Sequence, residues 1–392
     1  MEKTSRRNWA ALSIALFHTC PIAINQFAPN IIESLGISIS MAELILSLNS
    51  ITATIFLILS GSINEKFGMR KSTIWGLGLV AISGIIPYIF RNKLSIILNR
   101  LILGTGIGIY AANSSTYISI FNTGNKKAKI LGYRNAFEMI GLILAIFIAG
   151  LWGKNDFYNS FAVYTLALIP LLFFMISVPE IKLDSKEDNS KFKTNKIIKY
   201  YIVLSLFIIM STNAMNLRFP SVLANNGVLG ESISLYTMGI MFIGMVGGFG
   251  FGWVFKIFKD KTLKFSTLMV IIGSLIISIT DKSIVLLVLG VGLATFFQSI
   301  IISYLVGDLE NHMSKKHIAK TTGIMFAANN LGMLIAPLIL AGIKNLTGIT
   351  SLTGVFVGIA AILEVFLIYE VFFLKNNKKN YGRKLYEKII FS

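Results

Sequence analysis

Residues 42–90 read AELILSLNSITATIFLILSGSINEKFGMRKSTIWGLGLVAISGIIPYIF: an apolar run, a short stretch of charges and glycine, then a second apolar run. Each run is close to the ~20 residues that cross ~30 Å of hydrocarbon as an α-helix. The pattern continues in both directions. Apolar runs fall at 9–31, 42–63, 72–90, 94–117, 129–151, 159–178, 200–220, 233–255, 264–280, 283–306, 321–343 and 350–374. They predict an all-α integral membrane fold with twelve transmembrane helices. Composition agrees: the chain is 54% hydrophobic and 14% charged, with a mean hydropathy of +0.72. A water-soluble fold cannot hide that much apolar surface.

The longest polar stretch, PEIKLDSKEDNSKFKTNKIIK at 179–199, reads as a cytosolic linker. It divides the chain into a six-helix bundle at 1–178 and another at 200–374, followed by a basic tail at 375–392. A net charge of +18 would suggest nucleic acid in a soluble protein. Here the charges cluster between apolar runs. With both termini inside, 28 of the 36 lysines and arginines fall in cytosolic segments, five in external loops and three (Arg100, Arg134 and Arg218) within helices. The positive-inside bias therefore explains the charge without nucleic acid, and places both termini and the linker in the cytosol. The basic tail can touch anionic headgroups. The start resembles a signal peptide, but no small-residue cleavage site follows and the apolar stretch continues past Pro21, so a retained first helix is expected. A single cysteine, Cys20, excludes an intrachain disulfide and a thiolate cluster. The DLENHMSKKH stretch at 308–317 is read as a cytosolic loop rather than a metal site, and neither metal nor cofactor is expected. No phosphate-binding G-x-x-x-x-G-K-S/T segment is present, which disfavours an ATP-driven pump.

Polar groups within apolar runs locate the chemistry, because a polar side chain facing lipid has no partner. The third, sixth and ninth runs carry almost nothing polar beyond Ser and Thr. The first, fourth, fifth, seventh, tenth and eleventh carry His18, Asn25, Gln26, Arg100, Asn113, Arg134, Glu138, Asn213, Asn216, Arg218, Gln298, Asn329 and Asn330. Glu138 lies nine residues beyond Lys129, ~14 Å deep and near mid-membrane, where a carboxyl group can carry a proton. Arg134, one turn earlier, shares its face and is an alternative structural partner. His18, nine residues into the first run, reaches similar depth; it is a candidate proton relay or a hydrogen-bonded packing residue. Arg100 lies ~9 Å inside the external end of the fourth run, as a functional cation or one that snorkels to the headgroups. Arg218, two residues before Pro220, is expected at the external surface.

In GSINEKFGMRK, residues 61–71, a glycine is read as ending one helix, a carboxylate follows four residues later, and a second glycine permits a turn into basic residues. This resembles the major facilitator superfamily, whose loop between the second and third helices has the pattern G-x-x-x-D-R-x-G-R-R/K. Gly61, Glu65, Lys66, Gly68, Arg70 and Lys71 fall on it; Glu65 replaces the aspartate, and Met69 stands where a basic residue is usual. Arg100, Gly104 and Gly106 look like a second pattern of that superfamily, R-x-x-x-G-x-G, continued by Gly108. The fifth run lacks the G-x-x-x-G-P-x-x-G-G pattern of many drug/proton antiporters. In the equivalent second-half stretch, 244–264, Lys256 takes the carboxylate position. Asn329, Asn330, Gly332 and Pro337 look like a bent gating helix.

The resemblance implies two six-helix bundles related by a pseudo-two-fold axis, alternating access to a central cavity, and transport rather than catalysis. On it we expect a monomeric plasma-membrane carrier of a small solute, exporting small hydrophobic compounds with a proton or other coupling ion. Glu138, Arg100 and His18 would couple the proton. Asn25, Gln26, Asn113, Arg134, Asn213, Asn216, Gln298, Asn329 and Asn330 would line the solute cavity, and residues 61–71 would form a conformational latch. Uptake of a small organic anion is the alternative, motivated by Arg100 and Arg134; a non-transporting membrane sensor is a third.

Overall fold

The computed structural model describes residues 2–122, 124–180, 196–228, 230–280, 282–313 and 315–372. Most of linker 179–199 and the basic tail therefore lie outside the described residues. Among the described residues every regular element is helical. The first expected run is built from α1 (Glu2–Ser13), 3-10 turns at Ile14–Phe17 and Cys20–Phe27, and α2 (Ala28–Leu35). The second is α3 (Ile39–Ser47) with α4 (Asn49–Phe67), followed by α5 (Met69–Ile89), α6 (Lys93–Phe121) and α7 (Gly124–Trp152). A 3-10 stretch, Phe157–Ala167, leads into α8 (Leu168–Ser177). The second half holds α9 (Lys196–Asn225), α10 (Glu231–Phe258), α11 (Thr262–Ser278), α12 (Ile284–His312), α13 (Lys315–Thr347) and α14 (Phe356–Phe372). Nine helical stretches among the described residues are long and apolar enough to cross a membrane; one of them, Glu231–Ser278, contains two of the expected runs, and Ala136–Trp152 is a shorter apolar helix.

The chain forms two compact units, Met1–Ser190 with Leu229–Met238, and Lys191–Val228 with Gly239–Ser392. In the first, α6 packs on α4 and α5, and α7 packs on the two 3-10 turns of the first run. The α6–α4 contact needs glycine: a Cβ on Gly104 would lie 2.0 Å from the Asn49 carbonyl oxygen. The glycines after Arg100 therefore act as a helix-packing face. In the second unit α9 packs on α12 and α13, and α11 on α12 and α14. Outward positions are strongly apolar: Ile58, Ile176, Phe249 and Trp253 are each at least 70% exposed, a surface suited to lipid rather than water.

Local chemistry sets the element ends. Asn92 caps α6 by accepting from the Ser95 amide at 2.9 Å, while the Ser95 hydroxyl reaches back, a capping box that starts the helix at Lys93. The glycine that ends α4 is Gly68, at φ +86°, not Gly61 as expected; Gly61 lies inside the helix. Gly61 has no steric need to break the helix, whereas the turn at Gly68 requires a φ that other residues avoid. The stretch from Asp308 to His312 also differs from expectation: it forms the last turns of α12 rather than a loop.

Candidate functional site

Helix one is interrupted in mid-course. Its first 3-10 turn stops at Phe17 and the second begins at Cys20, leaving His18 and Thr19 between them. Pro21, in the first turn after the break, has no N–H to give to a preceding carbonyl, so the helical ladder cannot run through it. The freed residues bond sideways to α7. The Thr19 hydroxyl donates to the Glu138 carbonyl at 3.2 Å, and His18 Nδ1 lies 2.5 Å from Glu138 Oε1. The approach is close because a Cβ at position 141 of α7 would meet the Leu16 carbonyl, and that position is Gly141.

Glu138 Oε1 also receives Arg134 Nη2 at 2.5 Å, from one turn earlier on α7. The Arg134 and Glu138 side chains are 7% and 12% exposed, and His18 is 24% exposed, the wettest of the three. A guanidinium and an imidazole thus converge on one carboxylate oxygen. The guanidinium is a permanent cation, whereas the imidazole is one only when protonated.

Arg100, expected as a partner of Glu138, makes different bonds. It is fully buried, Nη1 donates to the Pro21 carbonyl (3.0 Å) and the Tyr164 hydroxyl (3.2 Å), and the guanidinium sits 5.8 Å from the Phe161 ring centroid. Among the described residues no ion pair joins it to Glu138. Burial excludes the snorkelling alternative. Arg218 is likewise buried at 3% exposure, with Nη1 donating to the Leu352 carbonyl, rather than lying at a surface as expected; the carbonyl of the turn before α14 holds it inside.

Several amides expected to line a cavity instead cross-link helices. Gln26 donates to the Ala23 and Ile146 carbonyls, tying helix one to α7. Asn113 bonds Asn64 and Thr73, joining α6 to α4 and α5. Asn213 donates to the Met333 carbonyl, joining α9 to α13. Asn25 is buried; Asn216, Gln298, Asn329 and Asn330 are part-exposed.

In the 61–71 stretch Arg70 carries most of the contacts. Nε donates to the Val178 carbonyl and Nη2 to the Met175 carbonyl, both at 2.7 Å, so it caps the last turn of α8. The Glu180 carboxylate lies against Gly68 and the Arg70 amide. Glu65, Lys66 and Lys71 are exposed. Three carboxylates are at most 1% exposed: Glu43 and Glu370, which the sequence reading passed over, and Asp308, which it placed in a loop. Asp308 accepts from the Tyr201 hydroxyl and faces His312 Nε2 at 3.3 Å, while Glu370 accepts from Tyr200 at 2.8 Å. The available signal was an acid beside a helix-end histidine and two tyrosines in the first turns of α9.

With this geometry in view, a family model described as Major Facilitator Superfamily matches residues 10–337. The Quinolone resistance protein NorA of Staphylococcus aureus (strain MSSA476) is 25% identical over 290 residues, 71% of each chain. The Major facilitator superfamily multidrug transporter mfsC of Aspergillus fumigatus is 32% identical over 91 residues, covering 23% of this chain and 18% of that protein. A crystal structure of the D-xylose-proton symporter superposes with a TM-score of 0.72 at 16% identity, over 91% of this chain and 95% of that one.

Proposed function

Since this chain belongs to the major facilitator superfamily, and is a multi-pass membrane transporter with the fold of that family, we propose that it exports small hydrophobic compounds in exchange for protons. The observation that supports the coupling is the His18–Glu138–Arg134 triad, formed where helix one is broken. A titratable imidazole and a carboxylate share a contact there, beside a fixed cation that cannot release its proton. Protonation at the triad would loosen the hold of α7 on the break and bias helix one between two arrangements, which is what coupling requires. The direction is supported by the names of the relatives, a quinolone resistance protein and a multidrug transporter. We place the carrier in the plasma membrane as a monomer, with both termini cytosolic, an N-terminal bundle at 1–178 and a C-terminal bundle at 200–374. The latch role of residues 61–71 is part of the same proposal, with Arg70 as its anchor.

The test is transport by purified protein in liposomes, with ethidium and a quinolone as probes. Glu138→Gln should abolish accumulation driven by a pH difference yet preserve probe exchange at equal pH, because exchange needs the binding site but not the titration. Accumulation by that variant under an imposed pH difference would move the coupling site elsewhere. Uptake of a small organic anion is the alternative, favoured by one observation: Arg100 is a buried cation with no carboxylate partner among the described residues.

A further inference from the structure

The interior of the first unit holds a guanidinium whose bonding is incomplete. Arg100 is fully buried and, among the described residues, only Nη1 is bonded, to the Pro21 carbonyl and the Tyr164 hydroxyl; Nε and Nη2 have no partner there. Neither acceptor is charged. Arginine cannot escape the cost of burial by losing its proton, and a buried cation without a counter-charge is strongly unfavourable. Glu138 does not supply that charge, since its carboxylate is engaged by Arg134 and His18.

Cys20 directly precedes Pro21, whose carbonyl takes Arg100 Nη1, so the single thiol sits one position from the guanidinium's anchor. His18 and Thr19, the residues of the break, are part-exposed.

We infer that Arg100, at the break in helix one, is a binding site for a small monovalent anion, held by Nε and Nη2. One negative charge balances the cation, and two adjacent N–H groups match a carboxylate in bidentate fashion or a single halide. The anion has two sources: a free ion such as chloride, or the carboxylate of a compound being carried. The second source rests on the transport function proposed above; the first does not.

Thermal unfolding of the purified chain in detergent tests the site without any transport assay. Sodium chloride and sodium formate are titrated against sodium isethionate, a bulkier anion, at constant ionic strength. Chloride and formate should raise the unfolding temperature saturably above isethionate, and Arg100→Gln should abolish the difference. No difference in the wild-type chain, or an undiminished one in Arg100→Gln, overturns the site. Should Arg100→Gln fail to fold, Cys20 gives a second readout, being the single cysteine of the chain. Chloride and formate should slow its alkylation by N-ethylmaleimide saturably in the wild type, and Arg100→Lys, which keeps the charge but loses the fork, should weaken that protection at least several-fold. A rate indifferent to both anions overturns the site as well. A quinolone carboxylic acid that competes with chloride where its methyl ester does not assigns the anion to the carried compound. Equal responses to acid and ester, with the chloride effect intact, assign it to a free ion and leave the export function to be judged on Glu138→Gln.

Discussion

A single oxygen, Oε1 of Glu138, takes contacts from Arg134 and His18, both at 2.5 Å. Removing the guanidinium leaves a buried carboxylate with only a part-time cation beside it. Arg134→Met should therefore destabilise the chain by ~3 kcal/mol, the lower end of what breaking a buried pair costs, and Arg134→Met with Glu138→Met should recover most of the loss. Thermal unfolding in detergent checks both variants; a double variant no better than the single one would mean that packing, not charge, holds the site. The Arg134–Glu138 pair was legible in the sequence because one helical turn fixes it. The His18 contact spans 120 positions and depends on how helix one docks on α7. Only the similar depth of the two residues hinted at it. Arg100 was misassigned to Glu138 for the same reason: residue spacing gives depth in the membrane, but not which carbonyl, here that of Pro21, a guanidinium will meet.

At the scale of elements, glycine separates packing from chance. A Cβ on Gly104 would meet the Asn49 carbonyl at 2.0 Å, a backbone atom that cannot turn aside, whereas a Cβ on Gly78 in α5 meets nothing within 4 Å. Gly104→Ala should cost at least about 2 kcal/mol by pushing α6 off α4. Gly78→Ala should be neutral or stabilising by up to about 1 kcal/mol, since alanine favours the helix. Unfolding temperatures of the two variants, measured side by side, decide whether the α4–α6 contact is as tight as described. The positions of the helices could be read from the apolar runs, because each run must span the bilayer. Their interruptions could not. The 3-10 stretches at Cys20–Phe27 and Phe157–Ala167 lie within runs that look uniform in hydropathy, and only Pro21 marks the first of them. The end of α4 was misplaced by seven residues because a helix tolerates Gly61 but must stop where Gly68 takes a positive φ.

For the molecule as a whole, the proposed orientation rests on where the cations lie. Lysine and arginine resist translocation, and with twelve spans 28 of the 36 would fall on the side of the termini and the 179–199 linker. A topology with that side outside would have to carry most of the positive charge across the membrane in short loops. Labelling of intact cells with a membrane-impermeant maleimide tests this directly, in a chain where Cys20→Ala removes the native thiol. Lys154 is a suitable external probe: its side chain is 62% exposed, and its pair with Glu231, also largely exposed, is of the kind worth about 0–1 kcal/mol, so Lys154→Cys should leave the fold intact. Ser190 lies in the linker and should be reached only after the membrane is opened. Lys154→Cys should therefore label in intact cells and Ser190→Cys only in permeabilised ones. Labelling of Ser190→Cys from outside would invert the orientation, and with it the side from which a proton would reach His18.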